Sequence, residues 1–166
     1  FMVLTAALTD RPLFEGKLLD MLRTEERLTS RVDHLGDSYK FSTRAFEFPT
    51  VDMERLLFDN AEYVKDGLMP LTEWLGPSPW SARMSGIIDD IWKHAPVDTP
   101  AGKIPSTNPE VNGELMQLTA RYFWLTGQQK YLAYALRIAD YYLLADRHPT
   151  RQSQSLKLRD HGCELI

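Results

Sequence analysis

Three observations predict an all-α chain built of antiparallel helical hairpins behind an irregular N-terminal segment. From Thr50 onward, apolar residues recur at intervals of three, four and seven, the period of one helix face. The string Asn108-Pro109-Glu110 is a helix start in three consecutive residues: a capping side chain, a proline at the first helical position and an acid in the first turn. Two of the expected helices are joined by only "TGQQ" (126–129), a joint so short that they must pack antiparallel.

The elements follow in order. Residues 1–50 form the irregular segment, with a short helical pattern from Leu13 to Leu28, and "RVDHLGDSYKFSTRAFEF" leaves room for one hairpin near Phe46 and Phe48. Residues 51–166 hold the hairpins. Thr50 can cap a long helix with Asp52 and Glu54 in its first turn. Met53, Leu57, Val64, Leu68, Leu71 and Leu75 form its stripe, and Pro70 is expected to kink it. "GPSPW" (76–80) interrupts the chain before a second helix over Ser81–His94, whose apolar side is Met84, Ile87, Ile88, Ile91 and Trp92. After the Pro-rich loop "APVDTPAGKIPSTNP", the third helix runs from Asn108 to Thr126, where Gly127 stops it. Leu115, Leu118, Thr119, Tyr122 and Phe123 are its apolar face. On the fourth helix Tyr131, Leu132, Ala135, Ile138, Ala139, Tyr142 and Leu143 are expected inside, with Lys130, Arg137 and Asp140 outside.

Composition narrows the functions. With 43% apolar residues among 166, the chain can bury a real core. A net charge of −4 without any basic stripe argues against nucleic acid as a partner. The apolar run Phe1–Leu8 is too short to span a bilayer, so no membrane partner is expected. The single Cys163 excludes an internal disulfide and a multi-cysteine metal site, and a thiol in a first helical turn is more often a small hydrophobe than a nucleophile. His34, His94 and His148 lack metal-ligand spacing and read as surface or loop residues, so no metal is expected. No phosphate-binding glycine loop, nucleophile elbow or H-E-x-x-H string occurs, and no cofactor is expected.

The stretch "NGELMQLTARYFWLTGQQKYLAYALRIADYYL" (112–143) resembles the helical hairpin of the six-hairpin glycosidase superfamily, in which an inner helix ends in a Thr-Gly turn and an outer helix begins "KYL". The resemblance covers about forty residues well and implies a partial (α/α) toroid. Its implied substrate is a polysaccharide or oligosaccharide, with uronic-acid sugars among the targets of such enzymes, and the step would be glycoside hydrolysis or lyase elimination. It also implies a secreted or periplasmic setting. A toroid needs six hairpins, so the chain is expected to be an N-terminal fragment. "HGCELI" (161–166) would then open the next inner helix as "NGELMQL" (112–118) opens the previous one. Such a fragment, with one hairpin face uncovered, is expected to associate or to be partly molten; its oligomeric state is left open.

Hydrolysis of a glycoside needs two carboxyl groups on opposite sides of the scissile bond. Glu114 and Glu164, at the starts of adjacent inner helices, are candidates. Asp160 lies four residues before Glu164 on the same helix face, with His161 beside it. Elimination would instead use a base and a group neutralising a uronate, roles open to His161, Tyr122 or Arg159. Trp74 and Trp80 flank the Gly/Pro break and could stack on sugar rings, and Asn112 and Tyr122 are further substrate-binding candidates. Each has a plainer reading: Asp160 as a helix cap, Glu164, Asn112 and Glu114 as solvated early-turn residues, and the tryptophans as packing anchors. A noncatalytic helical-repeat module and an isoprenoid-processing toroid compete with the sugar enzyme. The first would leave smooth, exposed inner-helix starts and the second an apolar cavity, whereas a sugar enzyme gathers acids and aromatics in one cavity.

Overall fold

The structure is a computed structural model that describes residues 2–25, 38–40, 42–43, 45–47, 53–144, 146–152 and 165. The N-terminal segment is more regular than expected. It contains α1 (Met2–Thr9), α2 (Arg11–Glu25) and a small antiparallel hairpin of β1 (Ser38–Lys40) and β2 (Ala45–Glu47), with Tyr39 opposite Phe46. Asp10 ends one helix and caps the next: its Oδ1 accepts from the Leu13 amide at 3.1 Å, and its carbonyl from Phe14 at 3.0 Å. Phe14 and Leu18 then enter the same core as the later helices.

The long helix expected over 50–75 has two α-helical parts, α3 (Met53–Glu62) and α4 (Met69–Leu75), joined by a π-helical turn over Tyr63–Leu68. The expected kink at Pro70 is therefore taken up before the proline. Pro70 has no amide to give the carbonyl four residues back, and its ring crowds that turn. The turn widens instead, and the Met69 amide bonds to the Val64 carbonyl five residues away. Among the described residues, the helices α5 (Pro79–Lys93), α6 (Pro109–Thr126), α7 (Gln129–Leu143) and α8 (Pro149–Gln152) follow. Ser78 and Ser81 close a reciprocal capping box at the start of α5. Asn108 caps α6 by accepting from the Glu110 amide at 2.9 Å, and Gly127 ends α6 at φ 67°.

Cross-helix contacts give the directions of the helices. Lys65 meets Glu114 and Glu73 meets Arg121; both numbers rise together, so the α3–α4 rod and α6 run parallel. Asp89 meets Lys130, and Trp92 stacks on Tyr134 with ring centroids 4.4 Å apart, so α5 and α7 are parallel as well. Tyr122 lies on Tyr131 while Asn112 bonds Tyr142, so α6 and α7 are antiparallel, as their short joint requires. The result is two layers of hairpins, α3–α4 beside α6 and α5 beside α7, around a core of Val64, Leu68, Met84, Ile87, Leu115 and Ile138. Leu143 departs from its expected inward position and is 54% exposed, because the inward row of α7 passes through Tyr131, Ala135, Ile138 and Tyr142.

The sharp stop of α6 depends on a left-handed residue, which only glycine adopts without strain. Gly127→Ala is expected to cost about 1 kcal/mol, read as a lower urea midpoint with an unchanged slope.

Candidate functional site

The α3–α4 rod and α6 meet around a buried ion pair. Lys65 Nζ stands 2.5 Å from Glu114 Oε2, with the Glu114 side chain wholly covered and that of Lys65 only 10% exposed. The π turn carries Lys65 inward, and the second turn of α6 carries Glu114. Asp66, on the same turn, also lies within 3.8 Å of the Lys65 ammonium. Two charges leave water only when each meets an opposite charge, and the desolvation cost absorbs most of their attraction. Farther along the same helices Arg121 grips Glu73 with three hydrogen bonds of 2.7–3.1 Å. That pair is more than a third exposed, so its contribution is at most about 1 kcal/mol.

A polar network seals the start of α6 against the end of α7. The Asn112 amide donates to the Ser106 carbonyl at 2.6 Å and to Tyr142 Oη at 3.0 Å, and the Tyr142 hydroxyl donates to the Thr107 carbonyl at 2.8 Å. Burial pushes the Tyr142 phenol up to about 12 against the opposing pull of Asn112. Near the other end of α6, Tyr122 Oη is 2.6 Å from Ser85 Oγ, and its ring lies 4.5 Å from that of Tyr131.

The candidates named from the sequence fare unequally. Glu114 and Asn112 are fully buried rather than solvated. Trp80 and Tyr122 are each 4% exposed, so their rings pack in the core and offer no free face to a sugar. Trp74 is 39% exposed, with its indole edge-to-face on Phe14 at 5.9 Å. His94 lies at the surface beside Asp90, and His148 is half-buried, with Nε2 3.2 Å from the Leu165 carbonyl. Asp160, His161, Cys163 and Glu164 lie outside the described residues, as does His34. The structure brings Glu114, Asn112 and Tyr122 onto one helix, each with its side chain buried in the core.

Lys65 was missed, and the pattern that accounts for its placement lies in the spacing of the buried residues. Leu56, Asn60, Val64, Leu68 and Thr72 are all buried, and so are Leu57, Ala61, Lys65 and Met69: two rows at strict intervals of four. In an α-helix each four-residue step drifts by about 40°, so a row of four steps would swing about 160° around the rod. Strict fours on one buried face therefore require a widened turn, and Lys65 falls on that face.

No protein-family model, curated protein or solved structure matches this chain.

Removing one partner of the buried pair takes from the other its nearest opposite charge. Lys65→Met and Glu114→Gln are each expected to cost about 3–5 kcal/mol, and the double variant less than the sum of the two; a denaturation double-mutant cycle reads the coupling. A second expectation concerns Tyr142. Its folded pKa lies above the ordinary 10, so the stability it contributes is complete below pH ~10 and is lost as pH rises toward about 12. Tyr142→Phe should flatten the fall of stability across that window in pH-dependent urea unfolding.

Proposed function

We propose that the chain is a two-hairpin segment of an α/α toroid that acts on carbohydrate, by glycoside hydrolysis or by elimination beside a uronate. The observation carrying this reading is the layering: the α3–α4 rod parallel to α6, α5 parallel to α7, and each layer antiparallel to the other. Repeated hairpins in that arrangement can continue into a ring, in keeping with the likeness of residues 112–143. In this reading Glu114 is a positioning group, since its side chain is wholly buried against Lys65. The groups that would meet substrate are Asp160 and Glu164, with His161 beside them and Trp74 as a partly exposed stacking surface. On one helix face, Asp160 and Glu164 would together supply one of the two carboxyl roles of hydrolysis, with the other coming from a different helix, and His161 would supply the base of an elimination.

A second reading is favoured by one observation: four of the candidates, Glu114, Asn112, Trp80 and Tyr122, are core residues. Side chains so covered give a substrate no access, which favours a noncatalytic helical-repeat module whose hairpins present a surface, although the start of α6 is covered rather than exposed as such a module was expected to leave it.

The intact chain is to be incubated with neutral and uronate-containing oligosaccharides while new reducing ends and unsaturated uronate are followed. Turnover is expected to fall by about a hundredfold or more in Glu164→Gln and in Asp160→Asn. Binding without turnover would select the helical-repeat reading. Neither binding nor turnover on any glycan would overturn the carbohydrate assignment.

A further inference from the structure

The outer layer carries a groove with a chemistry of its own. It lies between the loop 97–104 and the end of α7, with an open volume of about 420 Å3. The loop is held on two sides. Val97 and Ile104 exchange backbone hydrogen bonds of 3.3 and 3.0 Å. Across its tip the Gly102 amide donates to the Thr99 carbonyl, and the Thr99 hydroxyl to the Gly102 carbonyl. Gly102 sits at φ 116°, and a Cβ there would stand 2.9 Å from Arg137 Nε. The bare glycine thus lets a guanidinium lie against the loop.

The walls sort by chemistry. Pro100, Ala101 and Leu144 are apolar, and Asp140, Tyr141 and Arg147 supply the polar and aromatic groups. The Arg147 guanidinium lies 4.7 Å over the Tyr141 ring, and that of Arg137 lies 5.6 Å over the Tyr134 ring. Among the described residues neither arginine has a carboxylate within salt-bridge distance, whereas nearby Arg151 is paired with Asp146 and Lys103 with Asp98. Two cations are thus held in place by aromatic rings, with their hydrogen-bonding edges uncommitted to an acid. A guanidinium so held accepts a carboxylate in two parallel hydrogen bonds. Asp140, an acceptor only, would repel a bare anion unless the ligand also brings a donor for it.

We propose that this groove binds a small organic acid bearing hydroxyl groups beside its carboxylate. The carboxylate meets Arg147, a hydroxyl donates to Asp140, and the carbon body rests on Leu144, Pro100 and Ala101. The volume suits a ligand of about monosaccharide size. The proposal rests on the groove's own residues and stands without the acids of the proposed reaction.

The test is an amide chemical-shift titration of the intact chain with gluconate, with sorbitol as the same body lacking the carboxylate and acetate as the carboxylate lacking hydroxyls. Gluconate is expected to shift residues 99–102 and 140–147 saturably, and sorbitol and acetate to leave them unmoved at the same concentrations. Arg147→Met removes an exposed side chain and is expected to keep the thermal unfolding midpoint while weakening gluconate by about tenfold or more. Asp140→Asn should erode the preference for gluconate over acetate. Acetate as effective as gluconate, no saturable shift, or undiminished binding by Arg147→Met would each overturn the proposal.

Discussion

The interior is organised by a single constraint: a lysine and a glutamate have to meet away from water. Lys65 and Glu114 come from different helices, and their 2.5 Å separation leaves little freedom in how the α3–α4 rod lies on α6. A wholly apolar contact would let the two helices slide with small loss, since burial has no direction. An ion pair does not tolerate sliding, because a displaced partner leaves a bare charge in the core. The apolar side chains supply most of the stabilisation, and the pair selects one register among those they would accept.

From that register the rest of the packing follows. With the rod parallel to α6, Glu73 comes within reach of Arg121. The short link after Thr126 sends α7 back beside α5, where Trp92 can stack on Tyr134 and Lys130 can reach Asp89. The loop 97–104 bridges the two hairpins and is fastened before α6 begins, so the outer layer keeps a groove where a tightly connected pair of helices would have closed it.

Much of this was legible in the sequence. Asn108, Pro109 and Gly127 marked both ends of α6, because capping chemistry is local and needs no knowledge of the fold. The antiparallel pairing of α6 and α7 followed from the length of one joint. What escaped was decided by tertiary context. Glu114 and Asn112 read as site candidates or, more plainly, as solvated early-turn residues, since nothing within a few positions of them announces Lys65 or Tyr142 as partners. The helical pattern read over Leu13–Leu28 corresponds to α2, whereas α1 was missed because its mostly apolar residues leave little periodicity to read. The groove draws its residues from two elements about forty positions apart, a distance at which sequence spacing carries no geometry.

The π turn has one more consequence, for how this chain can change in length. A π turn holds roughly one residue beyond what an α-helix would place there. Deleting a residue between Tyr63 and Leu68 would let the two halves of the rod rejoin as α-helix, with one carbonyl still left without a partner by Pro70, which has no amide. The halves would stay nearly in phase, because the widened turn takes up its extra residue without turning the rod further, so Met69, Leu71 and Thr72 would still face the core with Leu57 and Ala61. Helicity measured by circular dichroism would barely change, and the apolar rows would keep their common side. The segment is permissive in length and strict in phase: one residue more or less is absorbed in the turn and not passed on to the packing.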